Sequence, residues 1–332
     1  MVNDDAQNGH LPGVGKLNAK RERGQFYTVA NPFEHGAFRK WAKESGLPDA
    51  CVLEPFAGEN SLIKHLSDIG LCNDYQSFDI TPNAPEVRER DTLKSFPTGY
   101  DVCVTNPPWL ARNSATARGL EYPFTVHDDI YKFSLEKCLD HCGYIAALIP
   151  ESFIRARLFQ DRLQAFVSLT AQLFSETTHP VGLALFVPYA CDDVVVYSGA
   201  RKIGTLARIE ACRPQPTYKR NIVFNAPDGN LGLIALDNTK GPSIRFCDVD
   251  ELAGYEVKNH GRHITKLHVS GQLMIDKYNT FIGEFREKTG DVLLTCYRGL
   301  RKDGKYRRRL DWQLARGIIE TEAGMWRGQA GR

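Results

Sequence analysis

The sequence predicts an α/β protein, a doubly wound and mostly parallel sheet followed by a smaller C-terminal domain of mainly β or α+β character. Three observations carry this. Between about Cys51 and Pro188 short apolar runs alternate with longer amphipathic stretches, the pattern of strands joined by helices. Polar and glycine-bearing segments gather at the ends of the apolar runs, where parallel sheets hold their ligands. Beyond about Asp193 the alternation gives way to short strands, many glycines, and Pro214, Pro216, Pro227 and Pro242, which favour loops and small sheets.

In chain order, Cys51-Val52-Leu53 is a first buried strand, and Ser61 to Leu66 after the glycine turn is helical. Gln76-Ser77-Phe78 makes the next strand and Tyr100 to Thr105 another. Asp129 to Leu139 has helical spacing, with Ile130, Phe133, Leu135 and Leu139 near one side. Tyr144 to Ile149 and Leu183 to Val187 are further buried strands, and Asp193 to Tyr197 begins the region of short strands. The expected organisation is a disordered lead-in over residues 1–22, a main α/β domain over 23–190 and a second region over 191–332.

At 332 residues, 42% hydrophobic and 25% charged, the composition is that of a globular protein, and no apolar run is long enough to span a bilayer. The polar stretch from Met1 to about Lys20 lacks the apolar core of a secretory signal, so a cytoplasmic protein is expected. Nine cysteines without a CxxC pair fit a reducing compartment. Cys138-Leu139-Asp140-His141-Cys142 lacks a second ligand pair, and no metal site is expected.

Chemistry is carried by two strand ends. The first strand runs into Glu54-Pro55-Phe56-Ala57-Gly58-Glu59-Asn60. Ala57 and Gly58 permit close backbone approach to a ligand, and Glu54 suits an amino-acid ammonium such as that of methionine. A pyrophosphate fingerprint would need three spaced glycines, which excludes a dinucleotide site of that kind. Asp79, followed by Ile80, ends the next strand and is placed to accept from a ribose diol, while Asp91 is placed to accept from an adenine amino group. An ordinary strand-end turn for Asp79 and a helix N-cap for Asp91 are the alternatives.

Asn106-Pro107-Pro108-Trp109 follows the strand ending at Thr105. An aromatic amino nitrogen is a poor nucleophile because its lone pair is delocalised. Two acceptors on its N–H groups, the Asn106 side-chain oxygen and the Pro107 carbonyl, hold it in an attacking geometry. The prolines stiffen the turn, and Trp109 offers a flat face to an extruded base. Attack on a sulfonium needs positioning more than a tuned acid or base.

EPFAGEN and NPPW together resemble motifs I and IV of the DNA adenine-N6 amino-methyltransferases. Gly24-Gln25-Phe26-Tyr27-Thr28 is similar to the segment, motif X, that closes over methionine in that family, with Tyr27 and Thr28 as the matching cofactor residues. The resemblance covers about Gly24 to Val187. It implies a seven-stranded sheet of the S-adenosylmethionine-dependent methyltransferase type, S-adenosyl-L-methionine as cofactor, and Asp79 and Asp91 at its ribose and adenine. Only about forty-five residues separate Gly58 from Asn106, too few for a recognition domain, so recognition follows the catalytic half, the γ arrangement. Phe174, ahead of the last strand, matches the family's second aromatic stacking on the flipped adenine, opposite Trp109; a core phenylalanine is the alternative.

Double-stranded DNA is the implied partner, in a restriction-modification setting with a companion endonuclease acting on the same site. Arg298, Arg301, Lys302, Lys305, Arg307, Arg308 and Arg309, opposed only by Asp303, interleave with Tyr297, Gly299, Gly304 and Tyr306, a pattern favouring DNA contact. Arg112 and Arg118 flank small polar residues, as in a mobile loop touching phosphates. RNA adenine methylation and protein-glutamine methylation, which uses a similar NPPY turn, are the alternative substrates.

Overall fold

A computed structural model describes residues 31–170, 173 and 178–321. Tyr27, Thr28 and Phe174 lie outside the described residues. A nine-stranded mixed sheet forms the centre. In chain order its strands are β1 (Cys51–Glu54), β2 (Asp74–Asp79), β3 (Arg88–Glu89), β4 (Val102–Thr105), β5 (Tyr144–Pro150), β6 (Leu163–Ser168), β7 (Val181–Phe186), β8 (Val195–Ser198) and β9 (Arg201–Thr205). Their spatial order is β3-β2-β1-β4-β5-β7-β6-β8-β9. The first five are mutually parallel, and β7 is inserted antiparallel between β5 and β6.

Period-two alternation sorts the strand side chains between two cores. Val102, Val104, Ala146, Leu148, Leu183 and Leu185 face helices α1 (Gly36–Glu44) and α2 (Ser61–Asp68), where Phe38, Trp41, Leu62 and Leu66 are buried. Trp41 Nε1 also donates to the Phe186 carbonyl at 2.8 Å, fixing α1 across β7. Cys103, Ile145, Ala147, Ala184 and Phe186 face the other way, toward Tyr131, Leu135 and Cys138 of a later helix, Ile130–His141. Asp129 caps that helix by accepting from Tyr131 N at 3.4 Å. Helices thus cover both faces, and the strands are apolar on both sides.

The sheet differs from the sequence expectation at its far edge. The expected boundary at residue 190 falls inside the sheet, because β8 pairs parallel with β6 and β9 pairs antiparallel with β8. The short apolar run Val194-Val195-Val196 extends the existing core, with Val194 and Val196 buried in it, rather than opening a new one. Beyond β9 an antiparallel four-stranded sheet forms from β10 (Ile222–Phe224), β11 (Leu231–Ile234), β12 (Arg245–Cys247) and β13 (Ile264–Val269). A hairpin of β14 (Thr295–Leu300) and β15 (Tyr306–Arg309) precedes the last described helix. Leu231, Phe246, Leu310 and Ile318 share one continuous core with Phe153 and Phe186.

Candidate functional site

The chain runs from β1 outward to β2 and β3, then returns to add β4 on the other side of β1. Beside this reversal, outside the strand carboxyl ends, a doubly wound sheet opens a crevice. The loop after β1 is stitched to β2. Ala57 N donates to the Phe78 carbonyl at 2.9 Å and Gly58 N to Asp79 Oδ2 at 2.9 Å. Thr81 N donates to Asp79 Oδ1 at 2.8 Å, and Asn83 N to the Gly58 carbonyl at 3.1 Å. Gly58 sits at φ 54°, in the left-handed region where a side chain is costly. Asn60, at φ 60°, is held by Ser77 Oγ donating to its Oδ1 at 2.7 Å. Thr92 Oγ1 closes the far side by donating to the Pro55 carbonyl at 2.9 Å.

Glu54 is buried at 1% exposure, its Oε1 accepting from Phe56 N at 3.0 Å and from Thr105 Oγ1 at 2.8 Å. This ties the end of β1 to the end of β4. Burial pushes the Glu54 carboxyl up to about 8, against the two hydrogen bonds that favour its ionised form. A cavity of about 300 Å³ opens between these strand ends. Glu54, Asp79 and Asp91 give it an acidic wall, Phe56, Ile80 and Leu93 an apolar one, and Asn106 and Pro108 close it on the β4 side. An acidic end beside an apolar slot suits a cationic amino acid joined to a flat heterocycle, so these residues fit S-adenosylmethionine.

Of the residues singled out in the sequence, Glu54, Phe56, Ala57, Gly58, Asp79, Ile80, Asp91, Asn106 and Pro108 line this one cavity. Pro55 and Pro107 are buried behind it and shape the two turns. Trp109 does not line it; the indole is half-buried and packs against both cores. Asp91 lines the cavity, and its carboxylate accepts from Lys94 N at 3.3 Å in a turn that does not continue into a helix. Leu110, Leu120, Glu121 and Ile130 also line the cavity, and sequence reasoning missed them. The chain leaves the cavity after Leu110 and returns at Leu120 and Ile130, a path that no local pattern announces.

Several expected DNA contacts are corrected. Residues 112–117 form a short helix rather than a loop, here α3 (Arg112–Ala117). The Arg112 guanidinium is turned onto its own chain, donating to the carbonyls of Thr125 and His127 and lying 4.9 Å over the Tyr122 ring. Arg118 is exposed. Arg301 and Arg308 are buried, each at 5% exposure. Arg301 pairs with Asp237 at 2.9 Å and with Asp303 at 2.9 Å; Arg308 pairs with Glu151. Both arginines are neutralised inside the fold, which removes them from any phosphate interface.

Arg298, Lys302 and Lys305 remain exposed. Arg307 is half-buried, its Nε donating to the Asp237 carbonyl at 2.7 Å and its guanidinium 5.2 Å from the Tyr297 ring centre. The Tyr297 ring also meets the His263 ring edge to face, their centres 5.1 Å apart. Burial and the neighbouring Arg262 and Arg155 charges lower the pKa of Arg309. Sequence reasoning also missed Arg155 and Arg262, because like charges brought together by folding lie far apart in the sequence.

No protein-family model matches the chain, and no curated protein matches it. Among solved structures, the methyltransferase subunit of a type I restriction-modification system from Streptococcus thermophilus is 17% identical with a TM-score of 0.35, over 57% of this chain and 52% of that one. The M protein of the type I restriction enzyme EcoKI is 16% identical with a TM-score of 0.35, over 46% of this chain and 44% of that one. The type IIG restriction endonuclease BpuSI is 18% identical with a TM-score of 0.37, over 54% of this chain and 28% of that one. The chain therefore spans about half the length of the type I subunits it resembles and less of the larger enzyme. Likeness at this level assigns no family, and the chemistry of the cavity is argued from its own residues.

Proposed function

We propose that the chain methylates the N6 amino group of adenine in double-stranded DNA, using S-adenosyl-L-methionine, as the modification enzyme of a restriction-modification system with γ-type motif order. The observation that carries this is the shared cavity. Asn106 and Pro108, from the turn after β4, face the same enclosed space as Glu54, Asp79 and Asp91, from the ends of β1 and β2 and the segment beyond β3.

When bound, S-adenosylmethionine supplies an electrophilic methyl group on a sulfonium. Glu54 holds the cofactor's ammonium, Asp79 its ribose and Asp91 its adenine amino group, with Ile80 against the purine face. The Ala57-Gly58 backbone lets the ligand approach. Tyr27 and Thr28 complete the methionine end in this proposal. Asn106 Oδ1 and the Pro107 carbonyl accept from the target amino group, orienting its lone pair along the line of transfer. The nitrogen held by Asn106 and Pro107 would take the cofactor's methyl group and give up one of its protons to solvent. Trp109 and Phe174 stack on the extruded base. Residues beyond the catalytic sheet, with Arg298, Lys302, Lys305, Arg307 and Arg309 on the hairpin, and Arg118 nearer the cavity, contact the duplex.

Tritiated methyl transfer tests this, with duplex DNA, RNA and protein offered in parallel. Label on adenine-containing duplexes alone is expected, and Asn106→Ala is expected to abolish it while cofactor binding persists. Label on RNA or on protein glutamine in place of DNA overturns the substrate, and full activity of Asn106→Ala overturns the mechanism.

A further inference from the structure

Phe124 and Val126 are the most exposed large apolar side chains among the described residues, at 106% and 93% of full exposure. They stand at the tip of the segment between Glu121 and Asp128, which the mechanism above leaves unused. The segment is braced, not loose. Arg112 reaches across it to the carbonyls of Thr125 and His127 and lies over the Tyr122 ring. Tyr122 Oη donates to the His127 carbonyl at 3.3 Å, and His127 N to Thr125 Oγ1 at 3.2 Å. Its neck is closed by Arg112 N donating to the Asp128 carbonyl at 2.8 Å and Ile130 N to the Leu110 carbonyl at 3.1 Å.

A phenylalanine and a valine held fully in water by a rigid frame lose the burial they would gain by folding back onto the core. Such a tip is shaped for an apolar environment supplied by a partner. The position of the tip says which. Leu120 and Glu121 at its root line the catalytic cavity. Phe124 is four residues on, within about 14 Å of Leu120 along the chain, which is close to the ~12 Å width of a major groove. The tip itself, Tyr122 to His127, carries no carboxylate; of the acids at its neck Asp128 is paired with Lys132 at 2.6 Å, and Arg118 stands exposed before it.

We infer that this braced loop is a base-stack wedge, Phe124 and Val126 entering the duplex beside the target adenine and filling the space it leaves when extruded. The inference rests on the proposed DNA substrate. Apolar side chains inserted between base steps unstack them at a cost that the contacts of the complex offset. The brace supplied by Arg112 delivers the wedge without a further ordering cost at the moment of binding.

The test uses the full chain and duplex oligonucleotides carrying the site at which the wild-type protein labels plasmid DNA. Two duplexes are compared in single-turnover methylation, one fully paired and one with an abasic site opposite the target adenine, where extrusion costs less. The Phe124→Ala, Val126→Ala double variant is expected to lose about tenfold or more on the paired duplex, about 1.4 kcal/mol, with unchanged cofactor affinity. On the abasic duplex it is expected to stay within about twofold of wild type, which also shows that it is folded. Phe124→Trp is expected to keep most of the paired-duplex rate. An unchanged rate on paired DNA, or an equal fall on both duplexes, overturns the wedge. Failure of the wild-type protein to label any DNA is a separate outcome, and it overturns the proposed function first.

Discussion

Arg308 and Glu151, 157 positions apart, form a buried two-pronged ion pair, Nη1 to Oε2 at 2.8 Å and Nη2 to Oε1 at 3.0 Å. Ser168 Oγ donates to the same carboxylate at 2.6 Å. Glu151 directly follows β5 and Arg308 lies on β15, so the pair fastens the C-terminal hairpin to the nine-stranded sheet at the end of β5.

Removing one partner strands the other charge in a dry site. Glu151→Ala is expected to cost about 3–5 kcal/mol in urea denaturation. A Glu151→Leu, Arg308→Met double variant is expected to be more stable than either single change, because it buries no lone charge. Equal or greater destabilisation of the double variant would show that the pair itself, and not the stranded charge, carries the stability.

On the proposed reading Glu54 is expected to make the stability of the unliganded protein and the binding of the cofactor respond to pH in opposite directions. Its carboxyl is raised from 4.5 to about 8, so the native state holds a proton that the unfolded chain releases. The stability from this group is full below about pH 4.5 and is lost as pH rises through about 8. Holding an ammonium requires the ionised form, so S-adenosylmethionine affinity is expected to rise with pH over the same window. Calorimetric titration in buffers of different protonation enthalpy is expected to show proton release on binding, and Glu54→Gln to abolish both the release and the pH dependence.

The hairpin cations divide into two kinds that salt can separate. Replacing Arg298, Lys302 and Lys305 by alanine is expected to flatten the salt dependence of DNA affinity by up to about 0.9 for each phosphate no longer neutralised, with stability unchanged. Arg301→Ala is expected to do the reverse, leaving the slope intact while lowering the melting temperature, since Asp237 is deprived of one of its partners.

Both halves of the cavity are legible in the sequence because each is a short contiguous run with local chemistry. Glu54 to Gly58 and Asn106 to Pro108 announce themselves at strand ends. What is not legible depends on distance along the chain. Arg301 reads as a free cation until folding brings Asp237 to it, and Arg308 until β5 ends against β15. Trp109 reads as a face for the base, yet it packs against both cores, which no pattern near residue 109 reveals. The strand at Val195 to Ser198 reads equally well as the start of a second domain or the continuation of the first, because apolar alternation does not name the neighbour that a strand will pair with.

That continuation sets a limit on truncation. A chain ended at residue 190 loses β8 and β9 and bares the edge of β6, as well as core positions filled by Val196, Leu206 and Ile209. It is expected to aggregate on expression, whereas the full chain elutes as a defined species in size-exclusion chromatography. A well-behaved 1–190 fragment would return the domain boundary to that point.

The carboxylates of Asp79, Asp91 and Glu121 around one small cavity, joined by Glu54 once it releases its proton, have a consequence for the proposed reaction. On the proposed reading the ligand enters with a sulfonium and leaves without it, its ammonium and carboxylate unchanged. A negatively lined chamber attracts the spent molecule less than the fresh one, so the exchange between them is biased forward at each cycle by charge already built into the strand ends. The same walls that hold the donor thereby help to expel what it becomes.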